Sequence, residues 1–108
     1  MRNHTVEPNF IHAMSILSKR WNGLIIYLLL NGPLRPSKIQ VSIGISGRVL
    51  SSRLKELEKQ KNIERKVYPD YPIRVEYSLT EKGRSLEPVF KELERWSNQW
   101  GTLKNKVV

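Results

Sequence analysis

Cysteine is absent from the 108 residues. That excludes a disulfide scaffold, a thiolate zinc site, a catalytic thiol and any thiol redox switch, and it fits a reducing cytoplasm. Histidine is scarce: His4 and His12 are the two, with no acid or nucleophile spaced to work with either. Neither a metal-ligand spacing nor a glycine-rich phosphate loop occurs. An enzyme is not expected, and neither a cofactor nor a metal is called for. Long apolar runs are missing too. The longest, residues 24–30, has seven residues, against the roughly 20 of a bilayer-spanning helix, and the start of the chain lacks the signal-peptide pattern. A cytoplasmic protein with no membrane partner is the expectation. At this length one modest core is all the chain can build. Residues 1–108 read as a single domain with its core at about 8–101 and a short basic tail at 102–108.

Acid is the remaining deficit, with 10 Asp+Glu against 19 Lys+Arg and a net charge of +9. Residues 1–17 sum to zero and residues 75–108 to +1, so residues 18–74, with twelve bases and four acids, hold +8. An excess of that size calls for an anionic partner, and its concentration in the middle of the chain directs attention there.

Pro8 suits the first turn of a helix, and Phe10, Ile11, Met14 and Leu17 recur at helical spacing, which predicts an amphipathic helix over 9–19. Trp21, Leu24, Ile25, Leu28 and Leu29 make a nearly all-round apolar helix, the expected centre of the core, ended by Asn31-Gly32-Pro33. A short helix over 37–43 closes at Gly44. Ser46 then caps a longer one from Gly47 to about 61, with Leu50, Leu54 and Leu57 facing inward. Short helix, tight turn and capped longer helix form a helix-turn-helix. Alternation in 63–67 and 73–79, around Pro69-Asp70-Tyr71-Pro72, predicts a β-hairpin with a stiffened tip. Thr80 caps a long final helix carrying Leu86, Val89, Phe90, Leu93, Trp96, Trp100 and Leu103, which Pro88 should bend. The fold class is mainly α with a small hairpin.

Gly47, Arg48, Ser51, Ser52 and Lys55 share one polar arc of the longer helix, set about 120° from the leucine stripe at 100° per residue. Recognition helices present such residues to base edges in the major groove. Arg48 can pair bidentately with guanine, and the serines can bond bases or phosphates. Arg35, Ser37 and Lys38 at one helix start, and Arg20 at another, suit phosphate. On the exposed side of the hairpin lie Lys66 and Arg74. Arg74 either reaches the neighbouring minor groove or pairs across the strands with an acid such as Glu64.

Arg20-Trp21 with Ile25-Ile26-Tyr27-Leu28-Leu29, then Gly32-Pro33-Leu34-Arg35, Leu54-Lys55-Glu56-Leu57-Glu58 and, most specifically, the stretch Tyr68-Pro69-Asp70-Tyr71-Pro72-Ile73-Arg74-Val75-Glu76-Tyr77-Ser78-Leu79-Thr80-Glu81-Lys82-Gly83 resemble the HxlR family of winged helix-turn-helix transcription regulators, distantly similar to MarR-type proteins. The resemblance runs from about Pro8 to Trp100. It implies a homodimeric bacterial DNA-binding protein, commonly a repressor, on a palindromic operator. The hairpin becomes the wing, and the first and last helices become the dimer interface. By position, Arg48, Ser51 and Ser52 fall on the groove-facing part of the recognition helix, Arg35 on the basic residue before the motif, and Arg74 on the wing arginine. Three departures stand out. The cysteine sensor of many members would fall at or beside Pro8, Pro36 replaces an aromatic, and the turn around Ile43-Gly44-Ile45 is about one residue shorter than common.

The apolar stripe of the last helix exceeds what so small a core needs. Phe10, Ile11, Met14, Leu93, Trp96, Trp100 and Leu103 are therefore the expected interface with a second copy. Double-stranded DNA and a second copy of the chain are the expected partners. The space beside the dimer helices leaves room for a small-molecule effector, which no residue specifies. The rival reading is a winged-helix interaction module that binds protein, RNA or acidic surfaces without reading sequence.

Overall fold

The computed structural model describes residues 5–101 and residue 103. Its helices are α1 (Pro8–Leu17), α2 (Asn22–Leu29), α3 (Pro36–Ile43) and α4 (Gly47–Lys59), followed by strands β1 (Ile63–Tyr68) and β2 (Arg74–Leu79) and helices α5 (Glu81–Arg84) and α6 (Glu87–Trp100). Apart from Leu103, the tail expected at 102–108 lies outside the described residues.

Glu7 caps α1, its carboxylate accepting from the Phe10 N–H at 2.9 Å, and Pro8 occupies the first turn, where a missing N–H costs nothing. The α1–α2 corner turns at Trp21, whose φ of 82° is unusual for a bulky residue. Asn22 pins that corner: it is fully buried, and its Nδ2 donates to the Ile16 carbonyl at 3.0 Å. Ile25, Ile26 and Leu29 are completely buried, so α2 is the core's centre as its composition implied. It is not buried all round, however. Leu24 and Tyr27 are exposed, because the eight-residue helix lies at the side of a small core and not within it.

Pro36 begins α3 one residue before the expected start, again as a first-turn proline, and Ile39 packs inward. Gly44, with φ 73°, makes the turn, in the left-handed region that glycine enters without penalty. Ser46 caps α4 by accepting from the Val49 N–H at 3.2 Å. Leu50, Leu54 and Leu57 are buried, each removal from water contributing about 1.5–3 kcal/mol. The helix stops at Lys59, two residues short of expectation, because Lys61 adopts φ 67° and the Asn62 N–H turns back to the Leu57 carbonyl at 3.0 Å.

The strands pair antiparallel, Ile63 opposite Leu79, Arg65 opposite Tyr77 and Val67 opposite Val75 on one face, with Lys66 opposite Glu76 and Tyr68 opposite Arg74 on the other. Leu34 and Tyr77 exchange backbone hydrogen bonds at 3.0 and 2.8 Å, so the α2–α3 connection braces the base of the hairpin. The Tyr71–Pro72 peptide in the tip is cis.

Thr80 is the cap that the sequence implies, its Oγ1 accepting from the Gly83 N–H at 3.1 Å. The single bent helix expected after it is in fact two. α5 closes at Arg84, and Pro88 sits in the first turn of α6, where proline starts a helix more readily than it bends one. Leu103 lies beyond the helix that was expected to carry it. Phe90 alone among α6 residues is buried, edge-on to Tyr27 with ring centres 6.0 Å apart, while the Tyr27 hydroxyl donates to Glu94. That hydrogen bond raises the Tyr27 pKa above its ordinary value. The rest of α6 extends outward. The radius of gyration is 16.1 Å, against about 13 Å for a compact chain of this length.

Candidate nucleic-acid interface

The leucines that bury one side of α4 dictate what the other side shows. Gly47, Arg48, Ser51, Ser52 and Lys55 are all exposed. Arg48, Ser51, Ser52 and Lys55 line one broad groove with Lys19, Glu56 and Lys59. Lys19 and Lys59 were not singled out from sequence. Lys59 extends the same stripe by one turn, since 48, 52, 55 and 59 recur at helical spacing, and that signal was present. Lys19 arrives from the far end of α1 and is legible only in three dimensions. Its Nζ lies 3.0 Å from Glu56 Oε2, both groups being partly solvated, so the pair is a modest one.

Arg20 is not in that groove. Its guanidinium lies 4.6 Å from the Trp21 ring centre, and its carbonyl accepts from Arg53 Nε at 3.2 Å. The corner between α1 and α2 is thereby tied to α4 by both Lys19 and Arg20. Arg35, Ser37 and Lys38 are exposed at the start of α3. Arg35 and Ser37 share a second groove with the wing residues Tyr71, Ile73 and Arg74. Lys66 is exposed on β1.

Arg74 has partners close at hand. Its Nε donates to Asp70 Oδ2 at 2.9 Å and its NH1 to Glu76 Oε2 at 2.7 Å, and its guanidinium carbon is 4.0 Å from the Tyr68 ring centre. The two carboxylates push its pKa above the usual arginine value. The acid pairing considered from sequence therefore exists, with Asp70 and Glu76 as the acids and not Glu64, which lies opposite Ser78.

Apart from these grooves, α1 and α6 each expose an apolar stripe. Phe10, Ile11 and Met14 on α1, and Leu93, Trp96 and Trp100 on α6, are exposed, Trp96 at 63% and Trp100 at 66%. Leu103 is exposed as well. Two exposed tryptophans on one helix face are more than a solvated surface ordinarily carries.

A capped helix with a polar outer stripe, a turn, and a hairpin braced beside it define a winged helix-turn-helix protein of the DNA-binding transcription-regulator class. The chain belongs to the HxlR-like helix-turn-helix family, which it matches over residues 16–105. It is 50% identical to YvaP of Bacillus subtilis (strain 168), named as an uncharacterized HTH-type transcriptional regulator, over 93% of this chain and 94% of that one. With the HTH-type transcriptional regulator YodB of the same organism it shares 47% identity over 90% of this chain and 88% of the relative. The solved reduced form of YodB superposes with a TM-score of 0.80 at 44% identity, covering 94% of this chain and all of that one. These relatives are transcriptional regulators. Among the described residues, no helix is long and apolar enough to cross a membrane.

Proposed function

We propose that this protein is a cytoplasmic, homodimeric repressor that binds a palindromic operator in double-stranded DNA. The observation that carries the reading is the exposed stripe of small polar and basic side chains on α4, backed by three buried leucines. In this reading α4 enters the major groove. Gly47 permits close approach, Arg48 addresses a guanine, and Ser51 and Ser52 bond base edges or phosphates. Arg35, Ser37, Lys38 and Lys55 hold the sugar-phosphate backbone, joined by Lys19 and Lys59. Arg20 buttresses the α1–α2 corner near the backbone. The wing, with Lys66 and Arg74, follows the adjacent minor groove.

The exposed apolar stripes of α1 and of α6 support assembly of two copies. Phe10, Ile11, Met14, Leu93, Trp96, Trp100 and Leu103 present the large apolar groups that anchor isologous interfaces. Two recognition helices about 34–36 Å apart then demand an inverted repeat. A dimer seated on such a site represses by occupying it.

Selection of bound sequences from a random duplex pool tests the reading. A palindromic consensus is expected. Equal retention of random DNA and RNA would instead favour an interaction module that does not read sequence.

A further inference from the structure

At the wing tip Tyr71 stands fully clear of the protein at 103% exposure, with Ile73 beside it at 69%. The cation that charge counting puts at this point is already committed. Arg74 is held by Asp70, by Glu76 and by the face of Tyr68. Residues 66–76, which include Lys66 opposite Glu76 across the hairpin, contain two bases and two acids, so the tip carries no net charge. A neutral tip is drawn only weakly toward phosphate by charge. What it offers is an aromatic ring with a hydroxyl at its end, followed by Pro72 and an exposed isoleucine.

The position of this ring relative to α3 matters. Arg35 and Ser37 face the tip across a groove of about 510 Å³. With α4 in the major groove as proposed above, Arg35 and Ser37 would hold a sugar-phosphate strand along that groove, and the tip would overhang the minor groove beyond it. Minor-groove proteins use apolar side chains against the sugar walls and base steps in this way.

We propose that Tyr71 is the residue with which the wing reads DNA, selecting A·T over G·C pairs beside the half-site contacted by α4. The ring lies between the sugar walls, and its hydroxyl donates to adenine N3 or thymine O2. The guanine N2 amino group projects from the groove floor into the space the ring needs, whereas A·T pairs leave that floor open. This specificity role rests on the DNA-binding reading above.

The test uses the operator selected by the wild-type protein, with the flanking pairs changed to A·T, G·C or inosine·C. Inosine·C keeps the major-groove edge of G·C and removes the minor-groove amino group. Wild type is expected to bind the A·T and inosine·C flanks about tenfold more tightly than the G·C flank. Tyr71→Ala, a change at a fully exposed side chain that leaves the fold intact, is expected to bind all three alike. A Tyr71→Ala protein that keeps the wild-type preference overturns the proposal and gives the tip to another partner. A wild type that selects a palindrome yet shows no flank preference overturns it while leaving the DNA-binding reading standing. A chain that selects no sequence overturns both.

Discussion

Lys19, just past the end of α1, reaches Glu56 on α4 with 3.0 Å between Nζ and Oε2. The helix assigned to the dimer is thus linked directly to the helix assigned to the major groove. Glu56 is also an acid on a face otherwise lined by bases and serines. Its replacement by Gln should release Lys19 and remove one negative charge from that face. We expect Glu56→Gln to bind random DNA about two- to fivefold more tightly at low salt, with a steeper salt dependence. Its stability should change by less than about 1 kcal/mol, because the pair is partly solvated. Fluorescence anisotropy across a salt series, with urea unfolding alongside, gives both quantities. Weaker binding would mean that the link positions α4 more than it restrains charge.

Arg48 and Arg35 should fail in different ways. Arg48→Ala is expected to relax preference at one operator position, losing about 1–3 kcal/mol on the specific site and far less on random DNA. Arg35→Ala should weaken binding to both alike and make the salt slope shallower by about one. Titrations of each variant against operator and random duplex decide the matter. Equal losses on both duplexes for both variants would remove base reading from Arg48.

For Arg74, the carboxylates on either side set the expectation. Because its charge is shared with Asp70 and Glu76, Arg74→Ala should change the salt slope by less than Arg35→Ala does. A full unit of change, measured in the same titrations, would show that the arginine leaves its partners when DNA arrives.

Trp100→Glu puts a charge on the exposed apolar stripe of α6. Its side chain is exposed in the single chain, so the fold should survive while assembly does not. Sedimentation velocity is expected to show monomers, and circular dichroism a helical signal reduced by no more than the share of the 14-residue α6. An unchanged dimer would take the end of α6 out of the interface.

Gly83→Ala tests the brace beneath the wing. A Cβ there would stand 2.1 Å from the Asn62 carbonyl oxygen, a backbone atom that also receives the Thr80 N–H. With no flexible side chain to move aside, we expect a loss of about 1–3 kcal/mol in denaturant unfolding. A midpoint within error of wild type would mean that the β1 and α5 connections separate easily.

Local signals in the sequence were sufficient for most of the architecture. Pro8, Ser46 and Thr80 act where their chemistry says they should, and alternation located both strands but not their pairing, since Arg74 lies opposite Tyr68 and Glu64 opposite Ser78. The failures came where position depends on distant residues. α5 closes at Arg84 and Pro88 starts α6, while Gly83 packs against Asn62, 21 residues away in sequence. Lys61 ends α4 with a left-handed turn that no glycine announces. In the interface, the α4 arc was legible from its spacing, since every residue on it is close in the chain. The Lys19–Glu56 link spans 37 residues, and no periodicity encodes it. The two acids around Arg74 were visible as letters. Their orientation toward it was set by the hairpin.

α6 has one buried residue in fourteen. A helix so little supported by its own chain is marginal by itself, so in the proposed dimer the ordering of this arm and the association of two chains become a single step. Its extent then follows protein concentration. While most chains are single, halving their number leaves about a quarter of the operator-competent species. Cellular copy number, set by synthesis and turnover, would thus act as an input to repression, with no ligand or thiol needed to make the response steep.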